Sequence, residues 1–96
     1  MKYSVSALPK VNRIKKKLHT ALQKAINDEV EKIAENPYIG KPKKGDLAGV
    51  WVHKFKHYDL LYLIGYLIDD QVKTVTLVGI GPHENFYRDL KRYLRS

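Results

Sequence analysis

The run Val50-Trp51-Val52-His53-Lys54-Phe55-Lys56-His57-Tyr58-Asp59-Leu60-Leu61-Tyr62-Leu63-Ile64-Gly65-Tyr66-Leu67-Ile68-Asp69-Asp70-Gln71-Val72-Lys73-Thr74-Val75-Thr76-Leu77-Val78-Gly79-Ile80 decides the fold. It is dense in β-branched and aromatic residues, which suit a half-buried pleated surface. Three strands are expected, Val50 to Lys56, Tyr58 to Asp69 and Val72 to Ile80, with polar Asp69-Asp70-Gln71 closing a hairpin between the last two. The third run is apolar on both faces towards its end, as a strand inside a sheet must be.

Outward from this run the periodicity changes. Upstream, Asn36 to Gly49 holds two prolines and three glycines and reads as a loop. Before it, Val11, Ile14 and Leu18, then Leu22, Ile26, Val30 and Ile33, recur at helical spacing. One helix of ~27 residues would run ~40 Å, longer than a domain of this size is wide. Thr20-Ala21-Leu22-Gln23 fits a capping box, so the expectation is a helical hairpin, 8–17 and 21–35, turning near His19. It ends at Asn36-Pro37, because the residue before proline avoids the helical region. Tyr3 and Val5 alternate with polar neighbours as a weak first strand. Downstream, Gly81-Pro82 ends the last strand, and Asn85 can cap a helix whose Phe86, Leu90, Tyr93 and Leu94 form an apolar stripe. Arg88, Arg92 and Arg95 share another face, with Lys91 beside them. The expected order is β-α-α-β-β-β-α, an α+β fold with a small antiparallel sheet, in a single domain over residues 1–96.

Composition narrows the class. Eighteen Lys and Arg against ten Asp and Glu give +8 on 96 residues, which suits an anionic partner. With no cysteine, a disulfide scaffold, a thiolate zinc site and a cysteine nucleophile are excluded. Met1 to Ser6 lacks the apolar core of a signal peptide, and the longest apolar stretch, Leu60 to Ile68, is nine residues, under half a membrane span. A cytoplasmic protein without a membrane role is expected.

His53-x-x-x-His57 has a familiar metal-ligand spacing, but on a strand those residues stand ~13 Å apart and cannot share one ion, so no metal site is expected. A second constellation is basic. His53, Lys54, Lys56 and His57 end one strand, and His83, Tyr87 and Arg88 follow the last. A cationic cleft with an imidazole and a phenol suits phosphodiester chemistry on RNA: a proton leaves the 2′-OH, charge on phosphorus is neutralised, and a proton reaches the leaving 5′-oxygen. Histidine can perform either transfer near neutral pH. Alternation puts Val50, Val52, Lys54 and Lys56 on one face and Trp51, His53, Phe55 and His57 on the other. The lysine face is expected to be open, which makes His53 a half-buried partner. Tyr58, Tyr62 and Tyr66 fall on one face of the next strand and are expected to pack beneath helices rather than stack bases. Phe86 is expected in the core, with Tyr87 offset from it and free to reach a site.

Several of these stretches together resemble the RelE/ParE toxin superfamily. They are the hairpin ending Glu35-Asn36-Pro37, the loop Gly40-Lys41-Pro42 through Gly45-Asp46-Leu47-Ala48-Gly49, the strands Val52 to Lys56 and Tyr58 to Ile68, and the ending Gly81-Pro82-His83-Glu84-Asn85-Phe86-Tyr87-Arg88-Asp89-Leu90-Lys91. The resemblance implies a toxin of a type II toxin–antitoxin pair. In the RelE-like branch it implies a ribosome-dependent endoribonuclease that cuts mRNA in the A site without a metal or other cofactor, leaving a 2′,3′-cyclic phosphate. By position it implies His83 as general acid or base and Tyr87 as second proton carrier or 2′-OH orienter. Lys54, Lys56 and Arg88 would stabilise the phosphorane, and His57, Arg92, Lys43 and Lys44 would bind RNA. The implied partners are an acidic antitoxin, the 70S ribosome with its mRNA, and operator DNA only through the antitoxin. Many RelE-like toxins carry arginine after the tyrosine that opens the third strand, whereas Tyr58 is followed by Asp59. Either Arg88 or His57 then substitutes for it, or the cut is slower, or the chain belongs with ParE-like toxins, which poison DNA gyrase without cutting RNA. A third reading is a basic nucleic-acid binder with no catalysis.

Overall fold

The computed structural model describes residues 2–95, the Arg95 side chain excepted; Met1 and Ser96 lie outside the described residues. Strand β1 (Ser4–Ala7) leads into helices α1 (Pro9–Lys16) and α2 (Thr20–Glu35). The short strand β2 (Lys41–Pro42) precedes β3 (Trp51–His57), β4 (Leu60–Asp69), β5 (Thr74–Pro82) and helix α3 (Phe86–Arg95). Single 3-10 turns, Pro37–Ile39 and Gly45–Leu47, flank β2.

The helical hairpin is present, but its second helix is capped one residue earlier than the capping-box reading places it. His19 is the N-cap, its Nδ1 accepting the Ala21 N–H at 3.2 Å. Gln23 does not close a box on Thr20; its amide donates to the Leu18 carbonyl at 2.8 Å, tying α2 back to the end of α1. Asn36 ends α2 in extended conformation, as the following proline requires.

The open sheet has the order β1-β5-β4-β3-β2. Its β2–β3, β3–β4 and β4–β5 ladders are antiparallel, while β1 lies parallel to β5, so the sheet is mixed. Alternation over four residues reports which face a side chain takes, not the strand's direction. β2 lies within the stretch read as a loop: Lys41 and Pro42 pair with Val52 and Trp51 at the edge, where a proline without an N–H is tolerated.

Two cores lie on opposite faces. Helices α1 and α2 bring Val11, Leu22, Ile26 and Ile33 against Phe55, Ile64, Tyr66, Val75, Leu77 and Ile80. Helix α3 brings Phe86 and Leu90 against Leu47, Val50, Val52, Leu63 and Val78. A shift in register between Gly65 and Tyr66 leaves Val78 without a partner on β4. That bulge changes the parity of β5, so Ile80 joins Val75 and Leu77 on the α1–α2 side while Val78 and Gly79 face α3. The pair Gly65 and Gly79 forms the floor under α3, since a Cβ on either would stand 3.3 Å from Phe86 or Leu90.

Of the three tyrosines expected in the core, two are placed so. Tyr66 is fully buried, donating to the Pro37 carbonyl at 2.6 Å and accepting the Gly40 N–H at 3.1 Å. Tyr62 packs on the α1–α2 core, stacked with Phe55 at 5.8 Å between ring centroids. Tyr58 is not in the core. It occupies the β3–β4 turn and is 85% exposed. Among the described residues, no helix is long and apolar enough to cross a membrane.

Candidate functional site

The face that carries α3 also carries Lys54 and Lys56. Both alternate with Val52, which is buried beneath α3, and both are exposed. Register aligns them with the end of β5. Lys54 pairs with Leu63 and Leu63 with Gly81; Lys56 pairs with Leu61, whose carbonyl accepts the His83 N–H at 2.9 Å. The backbone at His83 is thus two interstrand steps, ~10 Å, from that at Lys56.

Past Pro82 the chain turns through His83, Glu84 and Asn85 into α3. Asn85 takes the left-handed conformation, φ 68°, and its carbonyl accepts the Asp89 N–H at 3.0 Å, which starts the helix. Phe86 points into the core, so the next residue, Tyr87, emerges on its flank, half-buried. The rings of His83 and Tyr87 meet edge to face, with centroids 6.2 Å apart and planes at 86°. On the ring of Tyr87 also sits the Lys43 ammonium, 5.1 Å from its centroid. The Lys43 N–H donates to the Val50 carbonyl at 2.9 Å, which holds the β2 loop against β3. An imidazole, a phenol and an ammonium are therefore neighbours, beside a strand that presents two more ammonium groups on the same face.

The other expected site residues are distributed unevenly. Lys44 is exposed next to Lys43, at the start of the 3-10 turn. Arg88 is exposed beside Tyr87 and contacts Asp89 at 3.5 Å. Arg92 is not brought to Tyr87. Five residues further along a helix is about 140° around its axis, and Arg92 instead lines a groove of about 660 Å³ between α1, β5 and α3 with Lys10 and Ile14. His57 faces the opposite side of the sheet from Lys54 and Lys56, its ring packed on Tyr58 at 4.6 Å and Tyr62 at 6.4 Å.

His53, on that same opposite face, is the half-buried partner its register implied. Its Nε2–H donates to Glu29 of α2 at 2.7 Å, and Lys32 approaches the same carboxylate at 2.9 Å. Burial acts to raise the Glu29 pKa, but the hydrogen bonds from His53 and Lys32 prevail and hold it below its ordinary 4.5. Sequence reading passed over Glu29, although a carboxylate four residues before Ile33 and three after Ile26 interrupts the core-facing stripe and signals a buried partner. Among the described residues, no three His, Asp or Glu side chains converge as a metal-ligating group.

Residues 5–91 match the family of ParE-like toxins of type II bacterial toxin–antitoxin systems. The chain belongs to that family. This toxin is also 28% identical over 94 residues to RelE4 of Methanocaldococcus jannaschii, covering 95% of the chain and 97% of the relative. The toxin–antitoxin complex RelBE2 of Mycobacterium tuberculosis superposes with TM-score 0.77 at 24% identity, over 86% of this chain and all of the other. The free E. coli toxin RelE gives TM-score 0.77 at 17% identity, over 99% and 98% of the two chains. The toxin thus has the RelE fold that its sequence resembles, within the RelE/ParE superfamily.

Proposed function

We propose that this toxin is an endoribonuclease that cuts mRNA in the ribosomal A site and thereby arrests translation in the cytoplasm. The observation that carries the reading is the trio His83, Tyr87 and Lys43, set on the face that also exposes Lys54 and Lys56.

Those groups suffice for transesterification. One member of the His83–Tyr87 pair takes the proton of the 2′-OH. The 2′-oxygen attacks phosphorus, the bond from phosphorus to the 5′-oxygen breaks, and the other member protonates that oxygen, leaving a 2′,3′-cyclic phosphate. Lys54, Lys56 and Lys43 neutralise the extra charge on the phosphorane, joined by Arg88 when it leaves Asp89. Lys44 binds the RNA backbone alongside. His83, Lys54 and Lys56 stand in water in the free chain, where their attraction for phosphate is weak. A ribosome that fixes the mRNA and excludes water supplies what the toxin alone lacks.

A fold shared with the RelBE2 toxin–antitoxin complex of M. tuberculosis supports a cognate antitoxin as partner. A net charge of +8 favours an acidic one. Operator DNA would be reached only through that antitoxin.

Cleavage of a translated reporter mRNA in a cell-free system tests the reading. The wild-type chain should cut it, and the His83→Ala, Tyr87→Phe double variant should lose roughly 10²–10⁴ in rate. Full-rate cutting by the double variant removes the assignment of these residues. Intact mRNA together with blocked gyrase supercoiling selects the ParE-like mode instead.

A further inference from the structure

We propose that Tyr58 is a nucleobase-stacking site: the tip of the β3–β4 hairpin holds one unpaired base of single-stranded RNA beside the linkage to be cut. The position within the RNA rests on the nuclease reading above; the site itself rests on the hairpin.

His57 pairs with Leu60, so the turn between β3 and β4 is the two-residue loop Tyr58-Asp59. Its first residue stands at φ 55°, in the left-handed region. Glycine or asparagine fills such a position at least cost, and a bulky aromatic residue is an outlier there. Nothing is gained by burial in exchange, because Tyr58 is 85% exposed and its neighbour Leu60 is 58% exposed. A residue that opposes both turn chemistry and the hydrophobic effect is not there for folding, and such violations concentrate at functional sites. The ring is nevertheless braced. His57 meets it at 4.6 Å with planes at 61°, and His57 is itself supported by Tyr62 of the core. A second ring face stays open to solvent.

Location and charge select the ligand. Leu61 adjoins the tip, pairs with Lys56 and takes the N–H of His83, so the tip borders the row that ends in the candidate site. An open π face backed by His57, on a turn that follows Lys56 by two residues in a chain of net charge +8, matches a base of an anionic single strand. Asp59 in the same loop repels phosphate, so the base rather than the backbone meets the tip.

Two variants test this, Tyr58→Asn, which suits the left-handed turn, and Tyr58→Trp, which keeps a stacking face. Thermal melting of both is measured first; Tyr58→Asn should melt at or above the wild-type temperature. Each protein is then given a set of mRNAs on programmed ribosomes, with a single abasic nucleotide at successive positions around the cut. The same abasic set, as dye-labelled 12-nucleotide single-stranded RNAs, is used for direct binding. With intact RNA, Tyr58→Asn should cut and bind about tenfold more weakly while Tyr58→Trp stays near wild type. One abasic position should weaken the wild type by the same factor and leave Tyr58→Asn unaffected. Wild-type behaviour of Tyr58→Asn overturns the proposal, as does a loss that keeps its full abasic sensitivity. So does unchanged RNA handling with weakened antitoxin binding. If the wild type cuts no mRNA but the binding pattern holds, the nuclease reading falls and the stacking site stands. If the wild type neither cuts nor binds these RNAs, both fall.

Discussion

At the scale of the residue, Glu29 shows how one half-buried carboxylate couples this fold to pH. Its folded pKa lies below 4.5 because His53 and Lys32 hydrogen bond to the ionised form. A depressed carboxylate stabilises the fold fully above its unfolded pKa and loses that contribution as the pH falls through the folded value. Urea midpoints should therefore drop below about pH 4.5, and Glu29→Gln should lose less over that interval. At pH 7 the same variant should be about 1–3 kcal/mol less stable, since it leaves the half-buried His53 with a weaker acceptor. An equal acid loss in both proteins would show that Glu29 does not carry it. Tyr66 offers a neutral counterpart. Burial pushes its phenol up to about 12, with the Gly40 N–H acting in the opposite direction, so the hydroxyl stays a donor to Pro37. Tyr66→Phe should cost about 1–3 kcal/mol in thermal unfolding, because it strands the Pro37 carbonyl and the Gly40 N–H. The burial of Tyr62 and Tyr66 was legible from alternation alone. The exposure of Tyr58 was not, because alternation continues in the sequence after the strand has stopped, and Tyr58-Asp59 lacks the glycine that usually marks a two-residue loop.

At the scale of the element, α3 matters because it carries Tyr87, and its seat is decided by two residues without side chains. Gly65 and Gly79 are register partners on β4 and β5, and Phe86 and Leu90 rest on them. Gly79→Val places three carbons where a first one already stands 3.3 Å from Leu90. The helix must move outward, at about 1–3 kcal/mol, and Tyr87 moves with it. Gly81 is the control, since a Cβ there meets nothing within 4 Å. Gly81→Ala should therefore stay within about 0.5 kcal/mol of wild type in chemical denaturation, while Gly79→Val should lose both stability and mRNA cleavage. Equal midpoints for the two variants would refute the glycine floor. Periodicity located every helix and the three long strands, since each buries a stripe long enough to repeat. It did not reveal the bulge at Val78, because an inserted residue in an apolar run changes faces without changing composition. It also missed β2, where two residues are too few to alternate. The site was legible in part for the same reason. Lys54 and Lys56 could be assigned to one face from a two-residue period, whereas the contact of Lys43 with Tyr87 joins segments 44 positions apart and depends on how the β2 loop folds back.

At the scale of the whole molecule, an excess of eight positive charges sets how the toxin meets any polyanion. Long-range attraction speeds encounter and falls with ionic strength, but it does not say which lysines touch phosphate. Counterion release does. Each phosphate neutralised on a single strand contributes about 0.7 to the slope of log affinity against log salt. If Lys54 and Lys56 each hold one phosphate, the Lys54→Gln, Lys56→Gln variant should bind single-stranded RNA with a slope shallower by about 1.4. Lys16→Gln, Lys17→Gln is the matched control. Those lysines are also exposed, but they lie at the end of α1, away from the face beneath α3. The control removes the same net charge, so it should lower affinity slightly while keeping the wild-type slope. Titrations of a labelled RNA between about 50 and 200 mM salt separate the two cases, a range over which phosphate contacts dominate the change in affinity. Equal slopes for both pairs would mean that the lysines of β3 act only through the overall field, and phosphate neutralisation in the proposed reaction would then fall to Lys43 and Arg88.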